Sequence, residues 1–200
     1  HAIELVTFHR QGFLLSEELD AGEAYVEIIN TLEKEFENHE CFKLLTWERR
    51  PAQPDAPFRE NTVITSPYSY QSGQTIYDLL DEAISVRGSF CGEPSKYLVI
   101  SYNTHEDKCT DFDLEQPKLL SMEKYFPSST NTSYKLIGLL SHCGENTSDG
   151  HNLAYRLIDG NWYYFNDDEV REITETEIGT AYGLSEDSSE TAYVVFFEQV

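Results

Sequence analysis

Tyr134–Val170 reads YKLIGLLSHCGENTSDGHNLAYRLIDGNWYYFNDDEV, and this stretch decides the fold. Side chains of alternating character precede Asp159-Gly160, and the aromatic run Trp162-Tyr163-Tyr164-Phe165 follows it. Alternation and aromatic enrichment on both sides of an Asp-Gly step predict a β-hairpin with a two-residue loop. Residues 134–142 also alternate, and the polar loop 143–150 turns the chain back. We therefore expect the end of the earlier strand to lie beside the start of the hairpin.

His151 lies at the open end of this predicted hairpin. The two-residue loop places it opposite Asp168 and diagonal to Asp167. A histidine at the junction of a strand and a Gly-containing loop, within reach of a carboxylate that holds its tautomer, is typical of acid–base sites. A structural hydrogen bond is the commoner reason for such a pair, so spacing alone leaves both interpretations open.

The charge of the chain limits its partners. The 36 acidic and 14 basic residues give a net charge of −22. A phosphate backbone would be repelled, so we expect no nucleic-acid binding. The acidic residues are dispersed, which fits a solvated surface, and they also suit a basic partner. No apolar run is long enough to span a bilayer and no targeting segment is visible, so we expect no membrane association.

Length and pattern indicate one domain over residues 1–200 with an α+β fold. We expect a helical segment within residues 1–50, a Pro-rich connection at 50–58 and a β-rich part over 58–200. Asp20 and Glu23 form a capping box before an amphipathic stretch. A second helix is predicted near residues 76–84. Strands are predicted at 61–66, 96–103, 134–142, 152–158, 162–166 and 192–198.

The pattern around His151 resembles the histidine box of the ubiquitin-specific proteases, a family of papain-like cysteine peptidases. The matching residues follow the family's order: Tyr134-Lys135-Leu136, His142-Cys143-Gly144, Gly150-His151, Ala154-Tyr155, Trp162, Phe165-Asn166-Asp167, Val170 and Ala192-Tyr193. Asp20–Tyr25 is a weaker match to the family's Asp-Ala-x-Glu-Phe box. One departure is Asn152, where the family usually has Tyr.

The resemblance implies a papain-like peptidase fold with a palm-like sheet and reduced fingers. It implies that His151 acts as base and then acid, and that Asp167 orients it, with Asp168 in reserve. It implies ubiquitin or a ubiquitin-like protein as partner. It also implies a substrate-binding role for three neighbours of the site, His142, Gly150 and Tyr155.

The nucleophile of the family is missing from these 200 residues. It lies in a Gly-Asn-Thr-Cys-Tyr box before the Asp-Ala-x-Glu box, and none of the residues before Asp20 is Cys. The chain begins with His1 rather than Met, as expected for a processed chain or a fragment. It resembles the C-terminal two thirds of the family's catalytic domain, so we do not expect it to be active alone.

The four cysteines do not supply a replacement. Cys143 is nearest to His151 in sequence, but both lie on one predicted hairpin, whereas papain-like chemistry uses opposed lobes. We interpret all four as buried or incidental thiols: Cys41, Cys91, Cys109 and Cys143. Their isolation predicts no zinc site, and no cofactor is expected. Unpaired cysteines indicate an intracellular location, cytoplasmic or nuclear.

Three functions are compatible with the sequence. The first is a deubiquitinating cysteine peptidase represented by its His- and Asp-bearing part. The second is a catalytically inactive relative that retains a ubiquitin-binding or scaffold surface. The third is an acidic protein-interaction domain unrelated to ubiquitin, in which the His–Asp pair is structural.

Overall fold

The computed structural model describes residues 25–26, 28–31, 47–49, 59–61, 63–69, 74–103, 118–146, 149–181 and 190–200. Residues 25–26 and 28–31 are helical. The helices that lie wholly within the described residues are α1 (Ile76–Arg87) and α2 (Glu175–Ala181). The strands are β1 (Trp47–Arg49), β2 (Arg59–Asn61), β3 (Ile64–Ser69), β4 (Phe90–Cys91), β5 (Tyr97–Asn103), β6 (Leu119–Ser121), β7 (Ser133–Asn146), β8 (Asp149–Ile158), β9 (Asn161–Asn166), β10 (Glu169–Ile173) and β11 (Glu190–Gln199).

Most strands belong to one eight-stranded sheet. Its order is β10-β9-β8-β7-β11-β5-β3, with β6 paired to β7 outside this path. The neighbours are antiparallel except for β3 and β5, which run parallel. A separate three-stranded sheet has the order β2-β1-β4. The predicted α+β fold with a largely antiparallel sheet is confirmed.

The β8–β9 hairpin has the predicted register. Ile158 pairs with Asn161 and Tyr155 pairs with Tyr164, so the loop contains only Asp159 and Gly160. Both loop residues have positive φ, 51° and 87° respectively. A type I′ turn requires positive φ at both central positions, and Asp-Gly meets that requirement with little steric cost.

Helix α1 begins at a reciprocal cap and buries one face. The Thr75 hydroxyl accepts from the Asp78 backbone N–H at 3.3 Å, and an Asp78 carboxylate oxygen accepts from the Thr75 backbone N–H at 2.8 Å. Ile76, Leu79 and Leu80 are 2% exposed or less. Burying each such side chain contributes about 1.5–3 kcal/mol, so this face fastens the helix to the sheet.

The sheet buries side chains on both faces. Leu98 belongs to the main core cluster, which also contains the buried face of α1. Its neighbour Val99 belongs to a second cluster with Tyr193 and Val194. Successive strand residues point to opposite faces, so the two clusters lie on opposite sides of the sheet. The Tyr25 ring meets the Phe196 ring edge-on at 5.8 Å between centroids, and Tyr25 packs against the second cluster.

Several elements differ from the expectations or extend them. The segment predicted to be helical up to residue 50 contains strand β1 at its end, which pairs with β2 and β4. The short strands and α2 were not predicted because each is too short to show a clear period. The predicted cap at Asp20 and the Pro-rich connection lie outside the described residues.

Candidate active site

His151 lies near the start of β8, at one end of the large sheet. Its Nε2 atom is 2.6 Å from Oδ1 of Asn166 and 3.7 Å from Oδ2 of Asp167. The histidine side chain is 47% exposed, so a reacting group has access to the ring. The structure therefore brings the predicted histidine together with Asp167, and it adds a closer partner, Asn166.

The chain turns at the point where the simple register would place Asp168 opposite His151. Strand β9 ends at Asn166, which pairs with Glu169 at the start of β10. Asp167 starts this tight turn with φ at 49°. The β8–β9 ladder therefore stops before it reaches Asp168, and the carboxylate of Asp167 is directed back toward the ring. No contact between His151 and Asp168 is described.

The contact with Asn166 determines the tautomer of His151. An amide oxygen accepts hydrogen bonds and does not donate them. Nε2 therefore carries the proton and donates it to Asn166 Oδ1, which leaves Nδ1 as the basic nitrogen. Among the described residues, both contacts of the ring are made by Nε2. The arrangement can hold a neutral imidazole whose free nitrogen removes a proton from an incoming group.

Asn166 was missed as a partner at the sequence level. The signal was present, because the register that pairs Ala154 with Phe165 puts Asn166 one position further along, opposite Leu153, and thus on the face of His151. Alternation gives residues 151, 153 and 166 one common face of the hairpin. We predicted a carboxylate as the orienting group and therefore chose Asp167, with Asp168 in reserve, over Asn166.

His142 and Gly150 are packed against each other next to the site. A Cβ atom on Gly150 would lie 2.5 Å from Cε1 and 2.6 Å from Nε2 of the His142 ring, and closer still to the Cys143 carbonyl oxygen. His142 pairs with Asn152, so strand alternation directs it to the face opposite His151. A substrate-binding role for these two residues remains a prediction.

Tyr155, the third residue with a predicted substrate-binding role, lies in the interior beside the site, and that role remains a prediction. It is 6% exposed, and its hydroxyl donates to Oε1 of Glu190 at 2.6 Å. Burial, and then the hydrogen bond to Glu190, raise the pKa of Tyr155 above its usual range. Its side chain belongs to the main core cluster, so Tyr155 supports the site from the interior.

The described cysteines are Cys91 and Cys143, both half-buried and neither in a disulfide bond. Cys143 pairs directly with His151, and its side chain packs against the main core cluster. Cys41 and Cys109 lie outside the described residues. Within the described ranges, no three His, Cys, Asp or Glu side chains are grouped to hold a metal ion. No helix in the same ranges is long and apolar enough to cross a membrane.

Solved structures with the same fold include two assemblies with a deubiquitinase component. The Ubp8-Sgf11-Sgf73-Sus1 SAGA DUB module superposes with a TM-score of 0.62 at 21% identity, covering 92% of this chain and 49% of that chain. A SAGA DUB module bound to monoubiquitin gives a TM-score of 0.61 at 20% identity, with coverages of 92% and 49%. These likenesses show that the chain has the same α+β fold as the matched proteins and spans about half of each.

The family follows from the sequence comparison. The family model "Ubiquitin carboxyl-terminal hydrolase" matches residues 4–197, so the chain belongs to that family. It is 26% identical to ubiquitin carboxyl-terminal hydrolase 14 of Arabidopsis thaliana, over 68% of this chain and 17% of that protein. It is 32% identical to ubiquitin carboxyl-terminal hydrolase 12 of Salmo salar, over 32% of this chain and 18% of that protein. The chain thus spans less than a fifth of these curated relatives.

Proposed function

We propose that this chain is the histidine-bearing part of a deubiquitinating cysteine peptidase and that His151 is its general base. The observation that carries the proposal is the 2.6 Å contact between Nε2 of His151 and Oδ1 of Asn166. An Nε2–H that donates to this amide oxygen leaves Nδ1, on an accessible ring, to act on a thiol. Family membership supplies the reaction class.

The proposed reaction needs a thiol from a Gly-Asn-Thr-Cys box, which these 200 residues do not contain. The thiol gives its proton to Nδ1 of His151, and the thiolate attacks the carbonyl carbon of the isopeptide bond. Nδ1–H then protonates the departing lysine amine, and a thioester remains. Water loses a proton to the same nitrogen and attacks the thioester, which releases the ubiquitin carboxylate and the thiolate.

Asn166 and Asp167 have different roles in this proposal. Asn166 accepts the Nε2 hydrogen bond and holds the plane of the ring. Asp167 lies 3.7 Å from the same nitrogen, within ion-pair distance but beyond hydrogen-bond distance, and its side chain is 78% exposed. We infer that Asp167 stabilises the imidazolium that forms during the reaction, and that this stabilisation is small because solvent screens it.

Ubiquitin or a ubiquitin-like protein is the proposed partner. One solved relative of the same fold is described as bound to monoubiquitin. The net charge of −22 favours a basic tail over nucleic acid. We further propose an intracellular location, cytoplasmic or nuclear, because neither Cys91 nor Cys143 is in a disulfide bond, and reducing compartments keep thiols from forming disulfides.

A ubiquitin suicide probe tests the proposal on the longest natural chain that includes these residues. We expect covalent labelling that His151→Ala abolishes or slows by about 100-fold or more. Asp159→Asn, on the far turn of the same hairpin, is the matched control and should label normally, because Asn also tolerates the positive φ of this position. A chain that carries an intact Cys box and still fails to label would refute the proposal.

A catalytically inactive ubiquitin-binding module is the second candidate. Such a module would need no Gly-Asn-Thr-Cys box, and these residues do not contain one. Titration of the 200-residue chain with ubiquitin distinguishes the candidates, because an inactive module binds without labelling. If neither labelling nor binding is observed, the acidic interaction domain unrelated to ubiquitin becomes the remaining interpretation, although the family match disfavours it.

A further inference from the structure

A half-buried carboxylate connects three strands next to the candidate site. One oxygen of Glu190, Oε1, accepts hydrogen bonds from the hydroxyls of Ser141 and Tyr155. Ser141 is 0% exposed and Tyr155 is 6% exposed. The three residues come from β11, β7 and β8 respectively. The chemistry proposed for His151 makes no use of Glu190, so this cluster needs a separate explanation.

Glu190 and His151 lie in one row across the sheet. Glu190 pairs with Cys143 of β7, and Cys143 pairs in turn with His151 of β8. Residues directly opposite each other in antiparallel strands direct their side chains to the same face. Two strand spacings separate the backbones of Glu190 and His151, which is about 10 Å. The carboxylate is therefore on the catalytic face at the catalytic end of the sheet.

The backbone ladders are interrupted at this end of the sheet. The β11–β7 register shifts between Ala192 and Val194, and the β7–β8 register shifts between Cys143 and Asn146. A bulge leaves a residue unpaired and bends its strand. The backbone alone therefore holds the start of β8 less firmly here, and hydrogen bonds between side chains of the three strands can provide the missing restraint.

Tyr155 connects the two strands that carry His151 and Asn166. It belongs to β8, four positions after His151, and its ring lies 5.4 Å from the ring of Tyr164 in β9. Strand β9 ends two residues later at Asn166. The raised pKa of Tyr155 keeps its hydroxyl protonated, so it continues to donate to Glu190 across the neutral range.

We propose that Glu190 is a positioning residue for His151: through Ser141 and Tyr155 it holds the start of β8 against β7 and β11, and thereby keeps His151 within bonding distance of Asn166. The inference rests on the proposed role of His151 as general base.

The test measures His151 itself in the full 200-residue chain, by ¹⁵N NMR of the ring at a pH where the ring is neutral. The wild-type ring should show mainly the Nε2–H tautomer. Glu190→Ala should shift it toward a tautomer mixture and raise amide exchange over residues 151–155 by about tenfold or more. Glu190→Gln keeps an acceptor oxygen and should show the wild-type tautomer. Tyr155→Phe removes one hydrogen bond without creating a cavity and should also shift the tautomer. It replaces Glu190→Ala in the test if that variant fails to fold.

Glu198→Ala is the matched control, because it removes an acidic side chain from the other end of β11. Glu198 forms ion pairs there with Lys96 and Lys135. This variant should leave the His151 ring unchanged. The proposal is overturned if Glu190→Ala and Tyr155→Phe both leave the tautomer as in wild type, or if Glu198→Ala shifts it equally. These measurements involve no nucleophile, so failure of the suicide probe would refute the peptidase function without changing their outcome.

Discussion

Nε2 of His151 lies 2.6 Å from Oδ1 of Asn166, a residue fifteen positions further along the chain. The β8–β9 hairpin creates this proximity, because its two-residue loop brings the ends of two strands together. Asn166 is the last residue of β9, and its side chain reaches the ring before the chain turns away at Asp167. The direct partner of the histidine is therefore an amide, and the carboxylate is a second and more distant neighbour.

Asn166→Ala should reduce kcat of the active natural chain more than Asp167→Ala does. Loss of the Asn166 acceptor lets the His151 ring rotate, and a misplaced catalytic group lowers the rate by about 100-fold. Asp167 is exposed, so water screens its effect on the ring. Asn166→Asp should retain most activity because it keeps an acceptor oxygen. Steady-state hydrolysis of a fluorogenic ubiquitin conjugate measures these differences. A greater loss for Asp167→Ala would assign the orienting role to the carboxylate instead.

Gly150→Ala should destabilise the domain by about 1–3 kcal/mol, the usual cost of overpacking. The added methyl group would meet the backbone carbonyl of Cys143, which cannot rotate away, as well as the His142 ring. Chemical denaturation measures the change in the free energy of unfolding. Gly160→Ala is the comparison, since its site has open space and its cost of about 1–2 kcal/mol arises from positive φ alone. His142→Ala should not rescue Gly150→Ala, and full rescue would show that the ring is the only obstacle.

Thr75→Ala should lower the free energy of unfolding by about 0.5–2 kcal/mol, because it removes the side-chain acceptor at the start of α1. Ser85→Ala is the control: Ser85 is exposed within the same helix and donates only to the Glu82 carbonyl. Its effect should stay within about 0.5 kcal/mol. Equal losses for the two variants would show that the cap contributes nothing beyond a surface hydrogen bond.

The same cap should make stability depend on pH in the acidic range. Hydrogen bonds from the backbone and side chain of Thr75 hold the pKa of Asp78 below its ordinary value of 3.8. The folded protein therefore releases this proton more readily than the unfolded chain does. The stabilisation is fully present above the unfolded pKa and is lost as the pH falls through the folded pKa. Urea unfolding between pH 7 and pH 2.5 should show the difference between wild type and Asp78→Asn shrink at low pH. A constant difference would contradict the assignment.

Leu80→Ala should lower the free energy of unfolding by about 2–5 kcal/mol, because Leu80 is 0% exposed where α1 meets the main core cluster. Val86→Ala on the same helix is the control, since Val86 is 46% exposed and should change stability by less than about 0.5 kcal/mol. Thermal and chemical denaturation of both variants provide the comparison. A small loss for Leu80→Ala would mean that the core relaxes to fill the cavity.

The long periodic elements were predictable from local pattern. Alternation before Asp159-Gly160 predicted the β8–β9 hairpin and its register, and the apolar spacing after Ser72-Gly73 predicted α1. The predicted bounds of strands β7, β8 and β11 lie within a few residues of those in the structure. The short strand β1 was missed, because a three-residue strand is stabilised by its partners rather than by its own pattern.

The amino-acid sequence by itself determined the family, the hairpin and the position of His151, since each depends on residue order and on local backbone preferences. Tertiary structure decided which side chains meet. The turn at Asp167 ends the β8–β9 ladder, which separates Asp168 from the ring and makes Asn166 its direct partner. The pairing of β11 with β7 brings Glu190 within reach of Tyr155, although the two residues are 35 positions apart. Such contacts depend on register between distant strands and on where each ladder stops, and local sequence pattern encodes neither.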